Sequence, residues 1–518
     1  MPEAPGANGK SLPVLEVLQP SDLPAGGLAL QADVAVIGSG AGGAVAAYQL
    51  ARSGAKVVVL EAGPYRPSSQ FTEHLASALL DLYEDGGNQT NKTGDIVVLQ
   101  GKCVGGSTVV NAAVCFRAPD PVLRSWGRDF GLDSLSPEAM RPYFERVERH
   151  LGVHENGPHE VNLNGRLLMD GASKVGVANG PVRRNIKDCA LTGHCLSGCM
   201  TDRKQSMLVT YLPWASELGA KIFSGARVEA FELNNRRVTQ VTAVAEDVDG
   251  SEKRIQVKAE LVVVAAGAVQ SPLLFQKSAI GNGSGLIGRN FACHPSTLVL
   301  GEYPEDVDAW TGATISAYAG DIEDPLGGGY LLEGGMVGPV LTSTAVDGGV
   351  GAEFTKFMMN NRKFLSAVTL IHDQNVGRVH WDGGRKRIDY DLTDGDFKAL
   401  QGAFRAAAQI WFAAGARRVF LPTLKRVVIE KRSEIDSVIN GLRNEKQRYR
   451  LTSYHPQGTM RMGSKPETSV VAPDGRCHEL DNVYVADASL FPTTLLVNPQ
   501  LTVYALSSYV SDQILARG

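Results

Sequence analysis

The feature that most restricts the fold is a glycine-rich turn set between two short apolar runs. Ala32-Asp33-Val34-Ala35-Val36-Ile37 has the near-continuous apolar character of a central parallel strand. Gly38-Ser39-Gly40-Ala41-Gly42-Gly43 follows and matches G-x-G-x-x-G at Gly38, Gly40 and Gly43. Gly38 permits a tight turn, Gly40 lets the backbone touch a pyrophosphate, and Gly43 lets the helix pack closely on the strand. Ala41 belongs to the glycine-rich turn, and Ala44–Ser53, small and apolar at helical spacing, follows it as a helix. The free N–H groups and partial positive charge at its N-terminus suit phosphate oxygens. A second buried run, Lys56–Leu60, ends at Glu61, placed about 20 residues after the glycines as the acid that grips a ribose hydroxyl. Strand, turn, helix and strand within roughly 30 residues make one βαβ unit. The unit predicts a bound dinucleotide and does not separate NAD from FAD. A glutamate at position 61 argues against NADP, whose 2′-phosphate it would repel.

The remaining chain is long, at 518 residues, and calls for more than one core. A net charge of −4 gives no electrostatic case for nucleic acid or an anionic membrane surface. No run approaches the roughly 20 apolar residues that span a bilayer, and Leu261–Val269 reads better as a buried strand. Residues 1–28 lack the charged start and apolar core of a secretory signal and are expected to be a poorly ordered leader on a cytoplasmic protein. Strand patterns recur at Lys221–Phe231, Val238–Val248 and Ile255–Val264, and in the middle at Ser366–His372 and Gly377–Trp381. Helical periodicity is clear over Asp394–Gly415, and Pro499–Leu515 reads as a closing helix.

Downstream segments decide between cofactors. Gly101-Lys102-Cys103-Val104-Gly105-Gly106-Ser107-Thr108, with Asn111 and Arg117, resembles the first signature of the glucose-methanol-choline (GMC) oxidoreductases. Gly267-Ala268-Val269-Gln270-Ser271-Pro272 resembles the second, and Gly288-Arg289-Asn290 with His294-Pro295 resembles the stretch after it. Ser453–Thr459 with Met462-Gly463, then Asp487-Ala488-Ser489 with Asn498-Pro499-Gln500, resemble the C-terminal segments. The resemblance implies FAD. Gly105, Gly106 and Ser107 then form a second glycine-rich surface for the pyrophosphate or flavin edge. Asn111 lies near the isoalloxazine and Val228 beside the adenine, while Asp487, with Ala488 next to it, holds the ribityl chain. Pro499 and Gln500 open a helix whose terminus faces the flavin pyrimidine and stabilises its anionic reduced form.

Hydride loss from an alcohol requires loss of the hydroxyl proton at nearly the same time, a task for a histidine base. His455 occupies the family's base position and Asn498 its partner position, where an amide can hold the substrate oxygen. His294 reads as a structural pin near the cofactor domain. His372 and His380 read as pocket-lining or ordinary sheet residues. The absence of histidine between His74 and His150 argues for noncovalent FAD, since covalent members use a histidine in that segment, and against it stands only Cys103. Cys189, Cys195 and Cys199 resemble a cysteine-rich stretch of the long-chain alcohol oxidase branch. They read as free thiols, one disulfide or a metal clip rather than a cluster, and no metal site is expected.

The expected architecture is therefore mixed α/β (α+β), a discontinuous Rossmann-like FAD-binding domain plus a β-sheet substrate-binding domain. Residues 29–120, 205–295 and 450–518 form the first and 296–449 the second, with 121–204 connecting them. The expected function is oxidation of an alcohol, its class hinting at bulky or apolar, with oxygen or an electron carrier as final acceptor. A flavin-containing lyase that cleaves cyanohydrins, and a sugar dehydrogenase with an iron–sulfur relay, are the alternatives.

Overall fold

A computed structural model of the chain describes residues 14–335, 338–374, 376–445 and 448–517. Its first sheet is built on Leu28–Ile37, flanked in parallel by Val57–Leu60 on one side and Glu252–Val264 on the other. Lys221–Phe223 adds a further parallel strand beyond Val57–Leu60. Val34–Ile37, Val57–Leu60 and Val262–Val264 are buried throughout, as expected of strands covered on both faces. The long strand Glu252–Val264 serves two neighbours along its other edge. Its first half pairs antiparallel with Arg237–Glu246, and Val262–Val264 pair in parallel with Val483–Val485. The helix Ala41–Arg52 is almost wholly buried from Gly42 to Ala51. It is packed between the sheet and the helices Tyr211–Glu217 and Gln500–Leu515, which explains why its side chains are small.

The second sheet is antiparallel throughout, in the order Val427–Ile429, Arg418–Leu421, Thr297–Glu302, Phe364–Ile371, Tyr330–Gly335, Ile315–Gly320 and Asn179–Pro181. The helix Asp394–Ala414 lies across it. Thr393 caps the helix, accepting from the Asp396 N–H while the Asp396 carboxylate accepts from the Thr393 N–H. Gly415 ends it at φ +104°, the left-handed conformation that glycine adopts without penalty. Among the described residues no helix is long and apolar enough to cross a membrane.

Three expectations change. The expected strand Lys221–Phe231 is two strands, split where Gly225 turns at φ +66° against the Pro20 ring. Residues 1–13 of the expected leader lie outside the described residues. From residue 14 the leader is tied down, because Leu18 exchanges backbone hydrogen bonds with Ile222 and Ser224, and Lys253 Nζ donates to the Pro20 carbonyl. Finally, 121–204 is no mere connector. Asn179–Pro181 is an edge strand of the second sheet, and helix Leu163–Lys174 packs on that sheet and on Asp394–Ala414.

The same stretch carries a buried ion pair. Arg184, fully buried, donates to Glu160 Oε1 at 2.9 Å and to Asn156 Oδ1 at 2.6 Å. Glu160→Ala leaves that guanidinium uncompensated and is expected to cost about 3–5 kcal/mol of stability. Urea denaturation measures it, and a loss below about 1 kcal/mol would mean that water solvates Arg184.

Candidate active site

An elongated cavity runs between the two sheets. Gly38, Gly40, Ala41 and Glu61 line it in the first half of the chain, Gly106, Ser107, Asn111 and Val228 further on, and Asp487, Ala488, Asn498, Pro499, Gln500 and His455 near its other end. Backbone crowding explains the glycines. Gly38 has φ +93°, and a Cβ there would stand 2.5 Å from the Ala265 carbonyl oxygen. A Cβ on Gly43 would stand 1.9 Å from the Gly38 oxygen, so Gly43 sits behind the wall as a packing residue. A Cβ on Gly106 would stand 2.8 Å from Gly40 Cα, so the two glycine loops meet face to face.

Ser39 joins those loops. Its hydroxyl donates to Glu61 Oε2 at 2.7 Å and accepts from the Gly105 N–H at 3.0 Å. Gly105 therefore does not line the cavity, contrary to expectation, because its N–H is spent within the protein. Glu61 also accepts from Ser39 N and Gly63 N, and burial raises its proton affinity against those bonds. The Asp487 carboxylate is likewise filled, by Gly267 N, Ser271 Oγ and Ser489 N, which leaves its backbone to meet a ligand. Asn111 donates to Gln500 Oε1 at 2.7 Å, and Gln500 Nε2 donates to the Val114 carbonyl at 2.6 Å, so the start of helix Gln500–Leu515 is locked to the first signature. The residues fit FAD: a glycine-only approach at the pyrophosphate, a buried acid at the end of the second strand, and a helix N-terminus at the far end.

At the far end His455 meets His294, Nδ1 to Nδ1 at 3.2 Å. His294 is fully buried, and its backbone N–H donates to Asp373 at 3.0 Å. Its Nε2 lies 3.2 and 3.0 Å from the N–H groups of Leu495 and Leu496. Backbone N–H groups only donate, so that nitrogen holds a lone pair and the His294 proton is on Nδ1. The two rings meet at their Nδ1 atoms, which ties the orientation of His455 to that of His294. Burial pushes the His455 pKa down to about 3. His455 lines the cavity together with Asn498.

GMC oxidoreductase family models match residues 79–296 and 373–507, and an FAD binding domain model matches 33–102. An uncharacterized GMC-type oxidoreductase of Mycobacterium tuberculosis is 34% identical over 489 residues, covering 94% of this chain and 76% of its own. The chain belongs to the GMC oxidoreductase family. As a GMC oxidoreductase it is an FAD-dependent enzyme acting on CH–OH donors. Long-chain-alcohol oxidase FAO4A of Arabidopsis thaliana is 28% identical, covering 92% of this chain and 68% of its own. Pyridoxine 4-oxidase from Mesorbium loti shares the fold, with TM-score 0.68 at 21% identity, covering 93% of this chain and 99% of the other.

Several features of this GMC oxidoreductase escaped the motifs. His294 is a partner of His455 and not only a pin. His380, paired with Asp389 at 3.3 Å, and His372 do not line the cavity. Glu333 does line it, 2% exposed, with Oε1 lacking any partner. Its one sequence signal is an acid inside the otherwise uncharged strand Tyr330–Gly335. Among the described residues no group of three or more His, Cys, Asp or Glu is arranged to hold a metal ion. Cys199 accepts from the Lys204 N–H and contacts the Thr201 hydroxyl, while Cys189 faces Arg184. Cys103 is buried beside the Gly106 carbonyl, and burial pushes its thiol well up, toward the inert protonated form.

Proposed function

We propose that this enzyme oxidises a bulky, apolar alcohol, holding the carbinol oxygen between His455 and Asn498. The observation that carries this reading is that both residues line one cavity with the dinucleotide glycines, although they come from different loops. Bound FAD, held without a covalent link, supplies the two-electron acceptor for the carbinol hydride. His455 takes the hydroxyl proton as the carbinol hydride leaves, while the Asn498 amide holds the oxygen. Burial keeps His455 uncharged, and so free to accept that proton, across the neutral range. Ile315, Val368 and Leu370 give that end of the cavity apolar walls, in keeping with the long-chain-alcohol oxidase among the relatives. Oxygen or an electron carrier restores the oxidised cofactor.

The test is anaerobic bleaching of the flavin absorbance with a panel of fatty, aromatic and sugar alcohols. Bleaching by the fatty or aromatic members is expected, and admission of air then separates oxidase from dehydrogenase. Bleaching by sugars alone would overturn the substrate class. A bound flavin that no alcohol bleaches, beside turnover of a cyanohydrin, would replace the reading with a lyase.

A further inference from the structure

A buried cation stands directly behind the first signature. Lys204 is 2% exposed, and its Nζ donates to three backbone carbonyls, those of Val109 at 2.6 Å, Asn111 at 2.8 Å and Cys195 at 2.7 Å. Three acceptors require three N–H bonds. A neutral amine has two and would turn its lone pair on the third oxygen, so the geometry is that of an ammonium. Burial lowers its proton affinity, and the acidic groups set against that are the thiols of Cys195, Cys199 and Cys103. Among the described residues no carboxylate is paired with it. An enclosed charge without a counter-charge is costly, and a clamp does not call for one. Asn482 holds the Val238 and Glu260 carbonyls together with a neutral amide.

The place of the charge supplies its reason. Val109 and Asn111 flank Val110, and Val110 and Asn111 both line the cavity, as does Leu196, the neighbour of Cys195. Tyr83 joins the same two segments, its hydroxyl 3.2 Å from the Val110 carbonyl and 2.7 Å from that of Leu196. Asn111 is locked in turn to Gln500 at the start of the closing helix. The ammonium therefore sits one peptide group behind a wall of the cavity whose residues fit FAD. We infer that Lys204 is the fixed positive charge that stabilises the cofactor in its reduced, anionic form. A buried charge is screened far less than one at the surface, and charge placed beside a flavin tunes its electronics. Three carbonyls hold this one in place before reduction, so nothing has to reorganise as electrons arrive. The helix terminus at Gln500 offers about half an elementary charge, and Lys204 a whole one.

The field acts whichever alcohol is oxidised, so the midpoint potential of the bound FAD, read against redox dyes, tests it without substrate. Lys204→Gln keeps two N–H donors for the carbonyls and loses the charge, while Lys204→Arg keeps the charge. The glutamine variant should lie about 30 mV or more below the wild type, a tenfold fall in the equilibrium constant of a two-electron reduction, and the arginine variant close to it. Cys199→Asp reaches the same field without touching the clamp. The Cys199 thiol is half-buried and accepts from the Lys204 backbone N–H at 3.4 Å, so a carboxylate there offsets the ammonium. It should lower the potential in the same direction, with Cys199→Ser unchanged, and it carries the test if Lys204→Gln fails to hold FAD. An unchanged potential in Lys204→Gln, or an equal fall in the glutamine and arginine variants, would reduce Lys204 to a clamp. An unchanged potential in Cys199→Asp would do the same where the glutamine variant is empty.

Discussion

His455→Ala is expected to purify with its full complement of FAD and to reduce that FAD about 10²-fold or more slowly than the wild type. Retention follows from geometry: the glycines, Glu61 and the helix beginning at Gln500 are held by bonds that do not pass through His455. The rate loss follows from removing the base at the substrate oxygen, which must give up its proton as the hydride leaves. The deletion also strands the His294 Nδ1–H, which adds a modest cost in stability of about 1–3 kcal/mol. Stopped-flow reduction at saturating alcohol, beside the flavin-to-protein absorbance ratio, measures both quantities. Near-normal reduction would remove His455 from the chemistry, and loss of flavin would make it a binding residue.

The largest structural effect is expected at Gly42, a glycine that the dinucleotide motif does not require. A Cβ there would lie 1.5 Å from the Ala486 carbonyl oxygen. That oxygen belongs to the chain leaving strand Val483–Val485, whose position on the sheet is fixed by pairing with Val262–Val264. Neither backbone can retreat cheaply, so Gly42→Val is expected to cost about 3 kcal/mol or more and to abolish FAD retention, since Asp487 must shift with Ala486. Gly402, inside helix Asp394–Ala414 with nothing within 4 Å of its virtual Cβ, is the matched control. Gly402→Ala is expected to stabilise by about 0.5–1 kcal/mol. Thermal melts and flavin content of the two variants decide the matter, and equal melting temperatures would show that the helix slides to accommodate Gly42→Val.

The local parts of this enzyme were legible in sequence because their signals are local. A strand, six residues and a helix suffice for the dinucleotide turn, and Gly38, Gly40 and Glu61 stand where such a turn puts them. What sequence left out depends on which distant groups already occupy a side chain. Gly105 reads as a donor to the cofactor until Ser39 is seen to take its N–H, and whether Asp487 offers its carboxylate or its backbone is open until Gly267, Ser271 and Ser489 are seen to fill the carboxylate. His455 is set against His294, which Leu495 and Leu496 hold in turn, a relation between three loops that no spacing encodes. Glu333 carries no motif because its environment is built by burial. The strand Asn179–Pro181 is too short for periodicity, and it joins its sheet only through pairing with Ile315–Gly320.

The wall that closes on the dinucleotide turn has a bearing on how the enzyme is made. Gly42, whose missing side chain admits Ala486, is also gripped by Ser507, whose hydroxyl donates to the Gly42 carbonyl at 2.7 Å across 465 positions. During translation the turn leaves the ribosome long before either partner exists. Until then the apolar flank of Glu252–Val264 has no neighbour at Val262–Val264, and the cleft for the coenzyme lacks one side. Coenzyme capture thus waits until strand Val483–Val485 and helix Gln500–Leu515 have been made.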